Sequence, residues 1–206
     1  MQEKQVIQIL VNFMEIAALI FVSILYICIY ARTRKLNISR LEIWNMLKNK
    51  FLICIFIDAI LIFSDPFSEY RSYKYILLIL YGMTENIDLF IKKIPTEFLV
   101  LEFILSITQI YEHISMSNLA ASLLFSSIWI LIKRKIRIGT NDIFLILILT
   151  VLLSNFYETI LLNSVIMIIW GAFGIIMKDL FRKDPKTQIP LAPVIVTAFT
   201  LVKLLV

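Results

Sequence analysis

Val6–Tyr30 reads VIQILVNFMEIAALIFVSILYICIY, an apolar run broken by a single charge, Glu15. It is longer than the ~7–15 apolar residues of a signal-peptide core. No small-residue cleavage site follows it, so the run is expected to remain as a membrane span. The rest of the chain continues in the same vein. Of 206 residues, 60% are hydrophobic and only four are glycine, and the mean hydropathy is +0.90. An ordinary soluble domain is about half apolar, so soluble fold classes are set aside. The expected fold is all-α, a polytopic transmembrane helix bundle.

Apolar runs separated by short polar loops predict about eight spans: Val6–Tyr30, Phe51–Ser64, Tyr75–Phe90, Phe98–Ile110, Leu119–Ile132, Asp142–Leu153, Leu161–Met177 and Pro190–Val206. Several fall short of the ~20 residues a perpendicular helix needs, so polar flanks or a locally thinned bilayer must supply the difference. Cys28 and Cys54 both lie inside apolar runs and read as small buried hydrophobes, with no disulfide framework and no zinc spacing.

Lysine and arginine fall on alternate loops. The loops after the first, third, fifth and seventh spans hold sixteen of the twenty basic residues: Arg32, Arg34, Lys35, Arg40, Lys48 and Lys50; Lys92 and Lys93; Lys133, Arg134, Lys135 and Arg137; Lys178, Arg182, Lys183 and Lys186. By the positive-inside rule these loops face the cytoplasm and both termini face outward. The net charge of +5 therefore implies attraction to anionic lipid on the cytoplasmic side. It does not imply nucleic-acid binding, because the basic residues are divided among four loops.

This topology sets two carboxylates at one depth. Asp88 lies in the last turn of a span running inward, and Asp142 opens a span running outward, so both belong near the cytoplasmic interface. Ionisable groups in a bilayer are costly and usually functional, and two adjacent carboxylates can share a proton and activate a water. Asp142 also opens a helix, whose positive end favours a carboxylate. Glu102, one turn into the fourth span, is the only other acid expected near this depth. Asp58 and Glu15 read as mid-membrane polar contacts between helices. Gly139 and Asn141 tolerate positive φ and would allow a tight turn that aims Asp142 inward. Pro95 would stop the helix beyond Asp88, Gly171 and Gly174 would let a neighbouring helix approach, and Pro190 and Pro193 would hold irregular backbone beside the site. His113 reads as a solvated residue of an outer loop.

Asp88 followed by Ile94-Pro95, then Gly139-Thr140-Asn141-Asp142, then Gly171-x-x-Gly174, then Ile189-Pro190-Leu191-Ala192-Pro193, resembles in order and spacing the type IV prepilin peptidases, from about Tyr75 to the C-terminus. The resemblance implies an intramembrane aspartic endopeptidase that removes the leader from type IV pilin-like or pseudopilin precursors at the cytoplasmic face, with Asp88 and Asp142 as the catalytic pair. It divides the chain into residues 1–72, a two-span region with a basic cytoplasmic loop, and residues 73–206, a six-span peptidase core. Asn141 stands where the family typically has glycine, Phe144 where many members have lysine, and Thr96 where asparagine or aspartate is usual. The first cytoplasmic loop lacks the paired Cys-x-x-Cys of bifunctional members, so neither a metal nor an N-methylation cofactor is expected. Two alternatives keep a similar sequence pattern: a catalytically inactive membrane assembly factor of the same fold, and a small proton- or ion-coupled transporter. The transporter would show an internal repeat, and none is visible between the halves.

Overall fold

The computed structural model describes residues 2–33, 40–68, 73–92, 94–113, 116–136, 138–153, 155–181 and 190–206. Among these the secondary structure is all-helical, in eight helices: α1 (Gln2–Thr33), α2 (Arg40–Ser64), α3 (Lys74–Ile91), α4 (Thr96–His113), α5 (Met116–Ile136), α6 (Thr140–Val151), α7 (Phe156–Phe181) and α8 (Ala192–Leu205). Each apolar run of the sequence overlaps one helix, in order. Two helices carry a stretch long and apolar enough to cross a membrane by length and composition, Ile9–Ile29 and Met116–Lys133. Thr140–Val151, Phe156–Ala172 and Ala192–Leu205 are shorter apolar helical stretches.

The helices outrun the apolar runs at their polar flanks. α2 begins at Arg40, so Lys48 and Lys50, expected in a basic loop, ride on a helix instead. Arg40–Lys50 is rich in Leu, Met, Lys, Arg and Glu and contains neither Gly nor Pro, so helix propensity carries the helix through it. Residues 34–39 of that expected loop lie outside the described residues, as does Ile189. His113 is the last residue of α4, where the sequence reading has an outer loop.

α3 and α8 sit at the centre. α3 packs against α1, α2, α4 and α8, and α8 packs against α2, α3, α6 and α7. From Tyr81 to Phe90 every residue of α3 is buried, although this stretch includes Thr84, Glu85, Asn86 and Asp88. The apolar core around it joins Leu77, Tyr81 and Ile87 of α3 to Leu145 and Ile146 of α6 and to Ile195, Val196 and Phe199 of α8. Phe67, beyond α2, stacks between Tyr81 and Phe199, with centroids 5.1 and 5.6 Å away. α1 packs closely on α3 at Gly82, where a Cβ would run into the Leu19 Cδ2 methyl. On the periphery large apolar side chains point outward, including Leu131 (81% exposed), Leu52 (77%) and Ile168 (69%).

Polar contacts gather at two opposite ends. At one, Asn118 of α5 donates to the carbonyls of Thr150 (3.2 Å) and Leu153 and accepts from the Thr159 hydroxyl. Nearby, Asn155 accepts from the Glu158 N–H at 2.9 Å and caps α7, and Lys203 of α8 faces Glu158 at 3.8 Å. Lys74, opening α3, pairs with Asp65 beyond α2, and Glu15 lies within electrostatic reach of Lys74. Between the ends, the buried Trp129 of α5 donates through Nε1 to Asn163 Oδ1 of α7 at 2.7 Å. Trp129→Phe leaves that acceptor buried without its donor, and is expected to lower stability by about 1–3 kcal/mol, measured by thermal unfolding of the solubilised protein.

Candidate active site

The opposite end of the bundle gathers the acidic motifs. α3 terminates there because Lys92 adopts the left-handed conformation (φ 58°, ψ 34°), and its N–H caps the Asp88 carbonyl at 2.7 Å. Pro95 is therefore not the helix stop that the sequence suggests. It stands just before α4, where a missing N–H costs nothing, and its carbonyl accepts from the Phe98 N–H at 3.2 Å.

Asp88 keeps its expected place in the last turn of α3, and its side chain is buried. Its Oδ2 accepts the Ala192 N–H at 2.9 Å, and the Leu191 amide adds a second backbone donor. Ala192 is the first residue of α8, with Pro193 following it. A carboxylate at the C-terminal end of its own helix is disfavoured by the helix dipole, and the positive end of α8 offsets that here. The Pro190–Pro193 segment thus lies beside Asp88, as the sequence reading expects.

Asp142 sits in the first turn of α6 and reaches back through Oδ2 to the Gly139 N–H at 2.9 Å, the carboxylate half of a capping box. The positive-φ turn expected at Gly139 and Asn141 does not form. Gly139 is extended (φ −67°, ψ 154°), Asn141 is helical, and among the described residues only Asp65 and Lys92 have positive φ. Glycine matters here for a different reason: a Cβ at Gly139 would lie 2.7 Å from Asp142 Oδ2 and displace that carboxylate. Asn141 is free to act as a clamp instead. Its Nδ2 donates to the Ile94 carbonyl at 2.7 Å, tying the start of α6 to the segment that follows α3. Thr140 accepts from Lys133 of α5. Asn141→Ala is expected to cost about 1 kcal/mol of stability through loss of this bond, again read from thermal unfolding.

These local structures place both aspartates at the same end of the bundle. α4 and α8 each pack against both α3 and α6, bridging the aspartate-bearing helices, and Asp142 lies within electrostatic reach of Asp88. Each carboxylate is oriented by a backbone amide and stands by the positive end of a helix. Such a pair can hold one proton between them and present a base to a water. Phe144, one turn onward from Asn141, packs against Phe103 of α4 at 5.6 Å.

Other buried polar groups extend from the pair into the bundle. Glu102 is fully buried and accepts from Thr84 Oγ1 at 2.6 Å. Thr84 lies one turn, about 6 Å, before Asp88, so Glu102 is near the pair in depth, as its sequence position suggests. Asp58 accepts from Asn86 Nδ2 at 3.1 and 3.0 Å, a polar contact between helices of the kind expected. Glu85, buried one turn from Asp88 and within electrostatic reach of Asp58, is missed by motif reading. Its interruption of the apolar run Tyr75–Phe90 was the available signal. Among the described residues Gly171 does not serve close packing: a Cβ there meets nothing within 4 Å. Gly174 belongs to α7 but lies where side-chain surroundings are not described.

No protein-family model, curated protein or solved structure matches this chain.

Proposed function

We propose that this chain is a multi-pass aspartic endopeptidase of the cell membrane, of the prepilin peptidase kind, which removes the leader peptide from type IV pilin-like precursors at the cytoplasmic face. The observation that carries the reading is the convergence of Asp88 and Asp142, from separate helices, at one end of the bundle. Gly139, Asn141, Ile94 and Ala192 contact that pair or tie its supports together. The eight-span arrangement is supported by outward-facing apolar side chains far in excess of what a water-soluble surface carries. The distribution of basic residues supports a cytoplasmic position for the aspartate end. Residues 73–206 carry both aspartates, and α1 and α2 form a flank that packs on α3 and α8.

In the proposed reaction one carboxyl of the pair stays protonated and polarises the scissile carbonyl, while its ionised partner takes a proton from the attacking water. The protonation then reverses as the leaving amine accepts a proton. The amides of Ala192 and Gly139 keep both side chains aimed through the cycle. No cofactor enters this scheme. The partners are the precursor, whose apolar helix lies in the bilayer, and anionic lipid at the cytoplasmic surface.

The buried acids Asp58, Glu85 and Glu102 favour a second reading, a proton- or ion-coupled carrier. Co-expression with a pilin-like precursor, followed by gel and mass analysis, separates the two. Leader removal dependent on this chain supports the peptidase. Intact precursor beside well-inserted protein, across several precursors, would sink it.

A further inference from the structure

Lys50 reaches the end of α3 that carries Asp88 from a part of the chain that the motifs do not touch. It lies within α2 and is half-buried. Its Nζ donates to the carbonyl of Leu89, the residue following Asp88, and stands 5.8 Å from the centre of the Phe90 ring. Three groups with charge or titratable character face it: Asp88 and Lys92 from α3 and its cap, and Cys54 from the next turn of α2. An ammonium is expensive to withdraw from water. Here its partners are the carbonyl at the negative end of α3 and an aromatic face, with the Asp88 carboxyl within electrostatic reach and the Lys92 ammonium opposing it.

We infer that Lys50 is a positioning residue of the reaction: its fixed positive charge, delivered from α2 onto the backbone beside Asp88, stabilises the carboxylate form of the pair as charge shifts between the two aspartates. The inference rests on the peptidase reading. Without Lys50, two carboxylates and the end of α3 crowd one site with negative character, and three backbone amides, the helix dipoles and Lys92 are left to offset it. Lys50 also makes α2 part of the working unit, so the N-terminal flank is required for turnover.

The test compares wild type with Lys50→Gln, Lys50→Met and Lys50→Arg, using the purified full chain in detergent and a pilin-like precursor. Glutamine keeps a donor for the Leu89 carbonyl and removes the charge. Methionine removes both and fits an apolar seam, and arginine keeps both. The expected result is a fall in kcat of about 100-fold for glutamine and methionine, as for loss of a preorganised charge-stabilising group, with KM unchanged and arginine restoring most of the rate. Glutamine retaining the wild-type kcat would overturn the inference, since a hydrogen bond alone would then suffice. A rise in KM at unchanged kcat, or arginine failing like methionine, would overturn it as well, pointing to substrate contact or packing. Absence of processing by the wild type falls on the peptidase reading itself and removes this inference with it.

Discussion

Asp88→Asn and Asp142→Asn are each expected to reduce leader removal by about 10³-fold or more, the scale of losing a positioned general acid or base. Asparagine is the sharper substitution. It preserves the volume of Asp88 and an acceptor for the Ala192 N–H, whereas alanine would strand a buried amide at a cost of about 1–3 kcal/mol and confuse loss of chemistry with loss of fold. Because the aspartates act as a unit, the double variant should be no slower than the worse single one. Measurement of cleavage rate beside elution and melting profiles checks both points. Wild-type rates in either folded variant would remove that residue from the chemistry.

The second large effect belongs to a residue with no functional group. Gly139→Val is expected to slow leader removal by about 100-fold, since a misplacement of 1 Å at a reacting group can cost that much. Its Cβ would stand 2.7 Å from Asp142 Oδ2 and force the carboxylate off its capping bond. The fold should survive, because Gly139 is exposed and its extended backbone suits any residue. Unchanged melting with a depressed cleavage rate is the predicted signature. An active Gly139→Val protein would show that Asp142 need not occupy its capped position.

Element order was legible because hydrophobic runs are long and the breaks between them are charged. Helix ends were less so. Arg40–Lys50 continues α2 through propensity, which hydropathy does not register, and that concealed Lys50 as a neighbour of Asp88. The aspartate pair was legible from depth and topology, since an acid inside an apolar run is conspicuous. Its supports were harder to read. The role of Asn141 depends on where the Ile94 carbonyl lies in space, and glycine at 139 answers to a side chain one turn ahead rather than to φ. Lys92, with an ordinary lysine side chain, ends α3 in a conformation that sequence assigns to glycine or asparagine, and so Pro95 received the credit. Gly171 was read as a packing glycine because spacing alone cannot say whether a neighbour is there, while the close approach occurs at Gly82.

The central claim is that Asp88 and Asp142 together direct a water onto a peptide bond of a pilin-like precursor. The most direct test incubates the purified protein, in liposomes, with precursor in water enriched in heavy oxygen, and determines the mass of the released leader. The account predicts a leader carrying one heavy oxygen in its new carboxylate, formed by wild type and by neither asparagine variant. Intact precursor beside folded wild-type protein, or release that persists when both aspartates are replaced, would contradict it.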